Sequence, residues 1–135
     1  MLVGVLVNPD AGLGGRLGFK GSDGRAKEAR EAGAEDRAGP RMNICLERLQ
    51  VLLEQRGASV QFLVAGGRMG ADWIPQGISF QASGDYSGET NVEDTAEVVE
   101  EFLRQGAALI LYAGGDGTTR DIVNALGENR TPLVG

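Results

Sequence analysis

The chain of 135 residues contains no histidine and only one cysteine, Cys45. Without histidine there can be no Ser-His-Asp triad, no Cys-His pair and no histidine-ligated metal. A single cysteine can form neither an intrachain disulfide nor a cysteine zinc site. Cys45 falls in an apolar stripe of helical period, which predicts a buried core thiol rather than a nucleophile.

Positive charge is also scarce, because 13 Lys and Arg stand against 19 Asp and Glu and leave a net charge of −6. A surface of this sign repels nucleic acid and anionic lipid, so neither is an expected partner. No apolar run approaches the ~18 residues of a membrane span, and the N-terminus lacks a signal-peptide pattern. The expected location is therefore cytoplasmic. A nucleotide site stays compatible with this charge, since helix N-termini, local cations and a divalent metal act against the global field.

Glycine is the residue present in excess, at 22 of 135 residues, against a usual share of about 7%. Most of these glycines follow apolar runs, which predicts ligand-facing loops rather than a low-complexity linker. Strand patterns alternate with helical ones, and this alternation predicts a Rossmann-like three-layer α/β domain with a mainly parallel sheet flanked by helices. The predicted strands cover residues 2–7, 58–65, 78–82, 107–113 and 131–135; the helices begin at Pro40, near a Thr90–Glu93 capping box, and after Gly117.

Two glycine-rich turns follow predicted strands, at residues 8–15 and 114–118. Neither turn is a Walker A loop, and Leu17 replaces the third glycine of a Rossmann fingerprint. In parallel sheets, ligands bind outside the carboxyl ends of the strands, at the point where strand order reverses. If strands one and four are neighbours, both turns face a single crevice.

Asp116 stands between two glycines at the start of the last helix, where a phosphate, its metal or a reacting hydroxyl would reach it. A ligand or catalytic role is favoured, although a helix N-cap would also explain an Asp here. Arg120 and Asp121 form a local charge pair at least as readily as a ligand contact. Segment 16–39 is basic around Lys20, and a solvated excursion is favoured over a flap that brings Arg16 or Lys20 to substrate phosphate.

The pairing of Asn8-Pro-Asp-Ala-Gly12 with Gly114-Gly-Asp-Gly-Thr118 resembles the NAD kinase and diacylglycerol kinase superfamily. Within that group the chain is similar to the predicted ATP-NAD-kinase-like proteins of archaea and bacteria. Three further segments carry this likeness, and they are Lys20-Gly-Ser-Asp-Gly24, Glu93-Asp-Thr95 and Thr119-Arg-Asp121.

The resemblance implies a kinase that transfers a phosphoryl group from ATP, or polyphosphate, to a hydroxyl acceptor, with NAD favoured and Mg²⁺ as the accompanying cation. It makes Asp116 the base that deprotonates the acceptor, with no protein metal ligand assigned. The residues it places around the nucleotide are Asn8, Gly12, Gly14, Gly15, Gly114, Gly115, Gly117 and Thr118, with Lys20 and Arg120 toward phosphate.

Residues 1–135 are then the N-terminal α/β domain, and a β-rich C-terminal domain is expected outside this sequence. The isolated domain is accordingly expected to be weakly active or inactive. A small-molecule nucleotide and further copies of the chain are the expected partners. A lipid kinase of the diacylglycerol or sphingosine type and a non-catalytic nucleotide-binding module are the alternatives that stay open.

Overall fold

The structure, a computed structural model, describes residues 1–13 and 36–135. Within these residues a five-stranded sheet is parallel throughout, with the strand order β3-β2-β1-β4-β5. The Rossmann-like α/β fold predicted from the sequence is confirmed. The strands are β1 (Leu2–Val7), β2 (Gln61–Ala65), β3 (Gln81–Ser83), β4 (Leu109–Ala113) and β5 (Leu133–Val134), and the α-helices are α1 (Ala38–Gln55), α2 (Val92–Arg104) and α3 (Asp116–Leu126).

Strand β1 lies at the centre of the sheet, because its run of Val and Leu is buried on both faces. Val3, Val5 and Val7 pack on one face with α1, whereas Leu6 packs on the other face with α2 and α3. Gly4 lets the ring of Phe102 lie directly on the strand, since a Cβ at this position would be 2.5 Å from the ring.

The helices lie on opposite faces of the sheet. Met42 and Leu46 of α1 belong to one core cluster, and Phe102 of α2 and Ile122 of α3 belong to the other. The chain runs outward from β1 to β2 and β3, and then returns to β4 on the other side of β1. Strand order therefore reverses between β1 and β4, which is where such sheets bind ligands.

Several local predictions were wrong in detail. Cys45 is exposed rather than buried, because the buried stripe of α1 is narrower than its apolar stripe. The apolar pattern of α2 predicts that Val92 points inward, but this residue is 55% exposed at the start of the helix. The capping box of α2 is formed by Asn91 and Asp94, one residue later than predicted.

In the two stretches of chain that the structure describes, no helix is long and apolar enough to cross a membrane.

Candidate functional site

The turns that follow β1 and β4 lie side by side. Val7 is in register with Ala113, and the Asn8 backbone N–H donates to the Ala113 carbonyl at 2.9 Å. The Asn8 side-chain Nδ2 donates to Thr118 Oγ1 at 2.8 Å, although 110 residues separate the two. The condition for a single crevice, that strands one and four are neighbours, is met.

The chemistry of its neighbours fixes the orientation of the Asn8 amide. Its Oδ1 accepts the backbone N–H of Asp10 at 3.1 Å, and only an oxygen can accept from that donor. Nδ2 must therefore face Thr118, whose hydroxyl accepts. One side chain thus holds its own turn and ties it to the first turn of α3.

A second tie holds the β4–α3 turn from the β5 side. Thr119 Oγ1 donates to the Gly115 carbonyl at 3.1 Å, so the hydroxyl of Tyr112 donates to Thr119 Oγ1 at 2.7 Å. The Thr119 backbone N–H also reaches the Gly115 carbonyl, at 3.0 Å. The turn is therefore held in place by protein contacts alone, and a ligand would meet it preformed. The sequence did not predict that Tyr112 and Thr119 hold this turn.

The adjacent glycines of this turn differ in their surroundings. A Cβ on Gly114 would lie 2.5 Å from the side chain of Thr118, so Gly114 is required for the turn to pack. A Cβ on Gly115 would have no non-neighbouring atom of the described residues within 4 Å, and its φ of −100° suits any residue. Packing therefore explains Gly114 but not Gly115, which faces open space at the mouth of the crevice.

Asp116 is the first residue of α3, and its side chain is exposed. Gly115 occupies the N-cap position, and no side chain among the described residues caps the helix. The alternative interpretation of Asp116 as an N-cap is therefore wrong. The first backbone N–H groups of a helix have no intrahelical partner, and here the exposed carboxylate stands among them.

Thr118 is only 4% exposed. Its hydroxyl faces Asn8 and its methyl group lies against Gly114, so the side chain holds the turn from beneath. What Thr118 offers to the crevice is its backbone N–H, in the first turn of α3 together with that of Gly117.

The turn after β2 contributes a cation that sequence reasoning missed. Arg68 Nη2 lies 3.5 Å from Asp10 Oδ1, and Arg68 Nη1 donates to the Gly88 carbonyl at 3.2 Å. Both side chains of the pair are about three quarters buried. The signal for this cation in the sequence is an arginine within a glycine-rich turn, residues 66–70, that follows β2.

The other predicted residues are less central. Arg120 is exposed, and its Nε lies 3.9 Å from a carboxylate oxygen of Asp121, as expected for a local charge pair. Gly12 has a φ of +79° in the turn after β1. Gly14, Gly15 and Lys20 lie outside the described residues. Among residues 1–13 and 36–135, no group of three or more potential metal ligands comes together.

A parallel sheet whose order reverses beside a preformed helix N-terminus is an arrangement in which α/β domains bind ligands. The chain matches the family model described as ATP-NAD kinase N-terminal domain over residues 3–135. It therefore belongs to the ATP-NAD kinase N-terminal domain family, which confirms the predicted resemblance. No match was found among curated proteins or among solved structures.

Proposed function

We propose that this chain carries the nucleotide-binding site of an ATP-NAD kinase, which transfers the terminal phosphoryl group of ATP to a hydroxyl of NAD. The observation that carries the proposal is Asp116, an exposed carboxylate at the uncapped N-terminus of α3, beside the point where strand order reverses. Ligands of open α/β sheets bind at such points.

In this proposal the phosphate is bound by backbone N–H groups. The N–H groups of Gly115, Asp116, Gly117 and Thr118 would donate to phosphate oxygens, since helix N-termini suit anions. Gly115 would allow the closest approach, because no atom of residues 1–13 and 36–135 occupies the space that a side chain would take. Asn8 would act indirectly, by holding Thr118 in place.

Asp116 would act as the general base. It would take the proton of the acceptor hydroxyl while a bond forms between that oxygen and the terminal phosphorus of ATP. The bond between that phosphorus and the bridging oxygen breaks, and ADP leaves with its electron pair. The ATP phosphates would carry Mg²⁺ as part of the substrate, and this ion would neutralise part of their charge.

The proposal is tested with Asp116→Asn in the full-length protein, a substitution that keeps the size of the side chain but removes the base. NADP formation is expected to fall by at least about 100-fold, while calorimetry with ATP and Mg²⁺ still detects binding. Glu128→Gln, an exposed carboxylate beyond the end of α3, is the matched control and should leave both unchanged. Wild-type turnover by Asp116→Asn would refute the catalytic role.

Binding and turnover together test the alternative of a non-catalytic nucleotide-binding module. A full-length protein that binds ATP or NAD but forms no NADP under any condition would be such a module. A chain that binds neither nucleotide would contradict the proposal as a whole.

A further inference from the structure

The turns that follow β2, β1 and β4 are joined by a chain of polar contacts that runs across the carboxyl edge of the sheet. It begins at Arg68, whose Nη2 lies 3.5 Å from Asp10 Oδ1. It continues through Asn8, which accepts the Asp10 backbone N–H at 3.1 Å and donates to Thr118 at 2.8 Å. The chain therefore ends in the first turn of α3, where the nucleotide is proposed to bind.

Arg68 is well suited to anchor this chain because its own position is held on two sides. Its backbone N–H donates to the Tyr86 carbonyl at 3.0 Å, and its carbonyl accepts from Trp73 Nε1 at 2.8 Å. The guanidinium also donates to the Gly88 carbonyl, so it bridges the loop after β3 to the turn after β1. A guanidinium has five donors in a rigid plane and can make such a bridge, whereas an ammonium is a point charge.

Asp10 is the link through which this anchor acts on the site. Its carboxylate faces Arg68, and its backbone N–H fixes which end of the Asn8 amide points at Thr118. If Asp10 moved, the oxygen of Asn8 would lose its donor and the amide could rotate. Thr118 would then lose the contact that links it to β1.

We propose that Arg68 is a positioning residue for the nucleotide site, acting through Asp10 and Asn8 to hold the first turn of α3 in its phosphate-binding conformation. The inference rests on the proposed nucleotide function. Arg68 lies in the turn after β2. Strand β2 is two positions away in the sheet from β4, the strand that α3 follows. Arg68 itself does not touch the ligand.

The test combines nucleotide affinity with the side-chain amide signal of Asn8 in an NMR spectrum of the 135-residue chain. Arg68→Met keeps much of the aliphatic stem but removes the charge, and Arg68→Lys keeps the charge. The affinity for ATP with Mg²⁺ is expected to fall about tenfold in Arg68→Met and no more than about threefold in Arg68→Lys. In Arg68→Met the Asn8 amide signal should move in the same direction as in Thr118→Val, which removes its acceptor.

A double-mutant cycle with Asp10→Asn tests whether the effect travels along the chain of contacts. Because Asp10→Asn cuts the same link, adding Arg68→Met is expected to change the affinity by less than about twofold more. Arg104→Met removes the arginine of an exposed pair with Glu101 on α2 and serves as the control, with affinity and amide signal both unchanged.

Three results overturn the inference. Wild-type affinity in both Arg68→Met and Asp10→Asn would remove Arg68 from the site. A full tenfold loss on adding Arg68→Met to Asp10→Asn would show that Arg68 contacts phosphate directly. An unchanged Asn8 amide signal in a folded Arg68→Met variant would show that Arg68 is not coupled to Thr118. If the wild-type chain bound no nucleotide, the proposed function would fail, and the Asn8 signal would still report whether Arg68 positions the turn.

Discussion

Two neighbouring glycines, Gly114 and Gly115, show how the physical reasons for one residue type can differ within a single turn. Gly114 is needed because Thr118 fills the space in which a Cβ would stand. Within the part of the chain that the structure describes, Gly115 has open space around it and an ordinary backbone conformation, so packing there does not require glycine. A requirement for close ligand approach would explain Gly115.

At the residue scale, alanine substitutions should therefore separate stability from binding. Gly114→Ala is expected to lower the free energy of unfolding by about 1–3 kcal/mol, the usual cost of overpacking. Gly115→Ala is expected to lower it by no more than about 1 kcal/mol, since alanine is a poorer N-cap residue than glycine, yet to weaken ATP binding by about tenfold or more, because its methyl group would occupy the path of the phosphate. Urea unfolding and calorimetry measure the two quantities, and normal nucleotide affinity in Gly115→Ala would count against close approach.

The residue pattern around Asp116 was readable from the sequence, but the supports of the turn were not. A carboxylate between glycines after an apolar strand is a local signal. The ties from Asn8 to Thr118 and from Tyr112 to Thr119 depend on which strands become neighbours and on rotamers. Arg68 reaches Asp10 from a turn 58 positions away along the chain, and no local pattern marks that approach.

At the scale of elements, the sequence predicted which segments form helices and strands better than it predicted their ends and faces. Thr90 and Glu93 have the spacing of a capping box, but Asn91 and Asp94 have it too and form the cap. An Asn caps a helix at least as well as a Thr does. The residue types alone therefore could not decide which of the two is the N-cap. Cys45 was assigned to the core because periodicity does not fix the width of the buried stripe.

Substitution of the two candidate caps of α2 should show this difference in stability. Asn91→Ala removes the side chain that accepts the Asp94 N–H at 2.9 Å, and is expected to cost about 0.5–2 kcal/mol. Thr90→Ala, one residue earlier, should cost less than about 0.5 kcal/mol. Thermal and urea unfolding of the two variants make the comparison, and equal costs would contradict the observed cap.

At the scale of the whole molecule, the order β3-β2-β1-β4-β5 places the site, because it brings together two turns that are more than 100 residues apart. The sequence predicted parallel strands but left the adjacency of strands one and four as a condition. Strand order depends on how the crossovers pack, with α1 on one face and α2 and α3 on the other. That arrangement is a property of the assembled core rather than of any segment.

Stability of the whole fold should also respond to high pH through Tyr86. Burial, and then the neighbouring Glu97 carboxylate that accepts its hydroxyl at 2.8 Å, raise the pKa of Tyr86 above its ordinary value of 10.0. Above pH 10 the unfolded chain releases this proton while the folded chain keeps it, so stability falls as pH rises. Below pH 10 both states keep the proton, so the Tyr86 hydroxyl makes its full contribution to the free energy of unfolding.

Tyr86→Phe is the variant that isolates this effect. Above pH 10, the free energy of unfolding of the wild-type chain is expected to fall relative to that of Tyr86→Phe by about 1.4 kcal/mol per pH unit. Urea unfolding of both chains at a series of pH values gives the two slopes. Parallel slopes above pH 10 would mean that the Tyr86 hydroxyl ionises as readily in the folded chain as in the unfolded one.

The central claim, that the crevice between β1 and β4 binds nucleotide phosphate, is tested most directly by mapping backbone amide shifts during titration with ATP and Mg²⁺ and then with NAD. The largest shifts are expected on Gly115, Asp116, Gly117 and Thr118, and they should become much weaker in Gly115→Ala. Shifts that cluster away from the first turn of α3, or no shifts at saturating nucleotide, would contradict it.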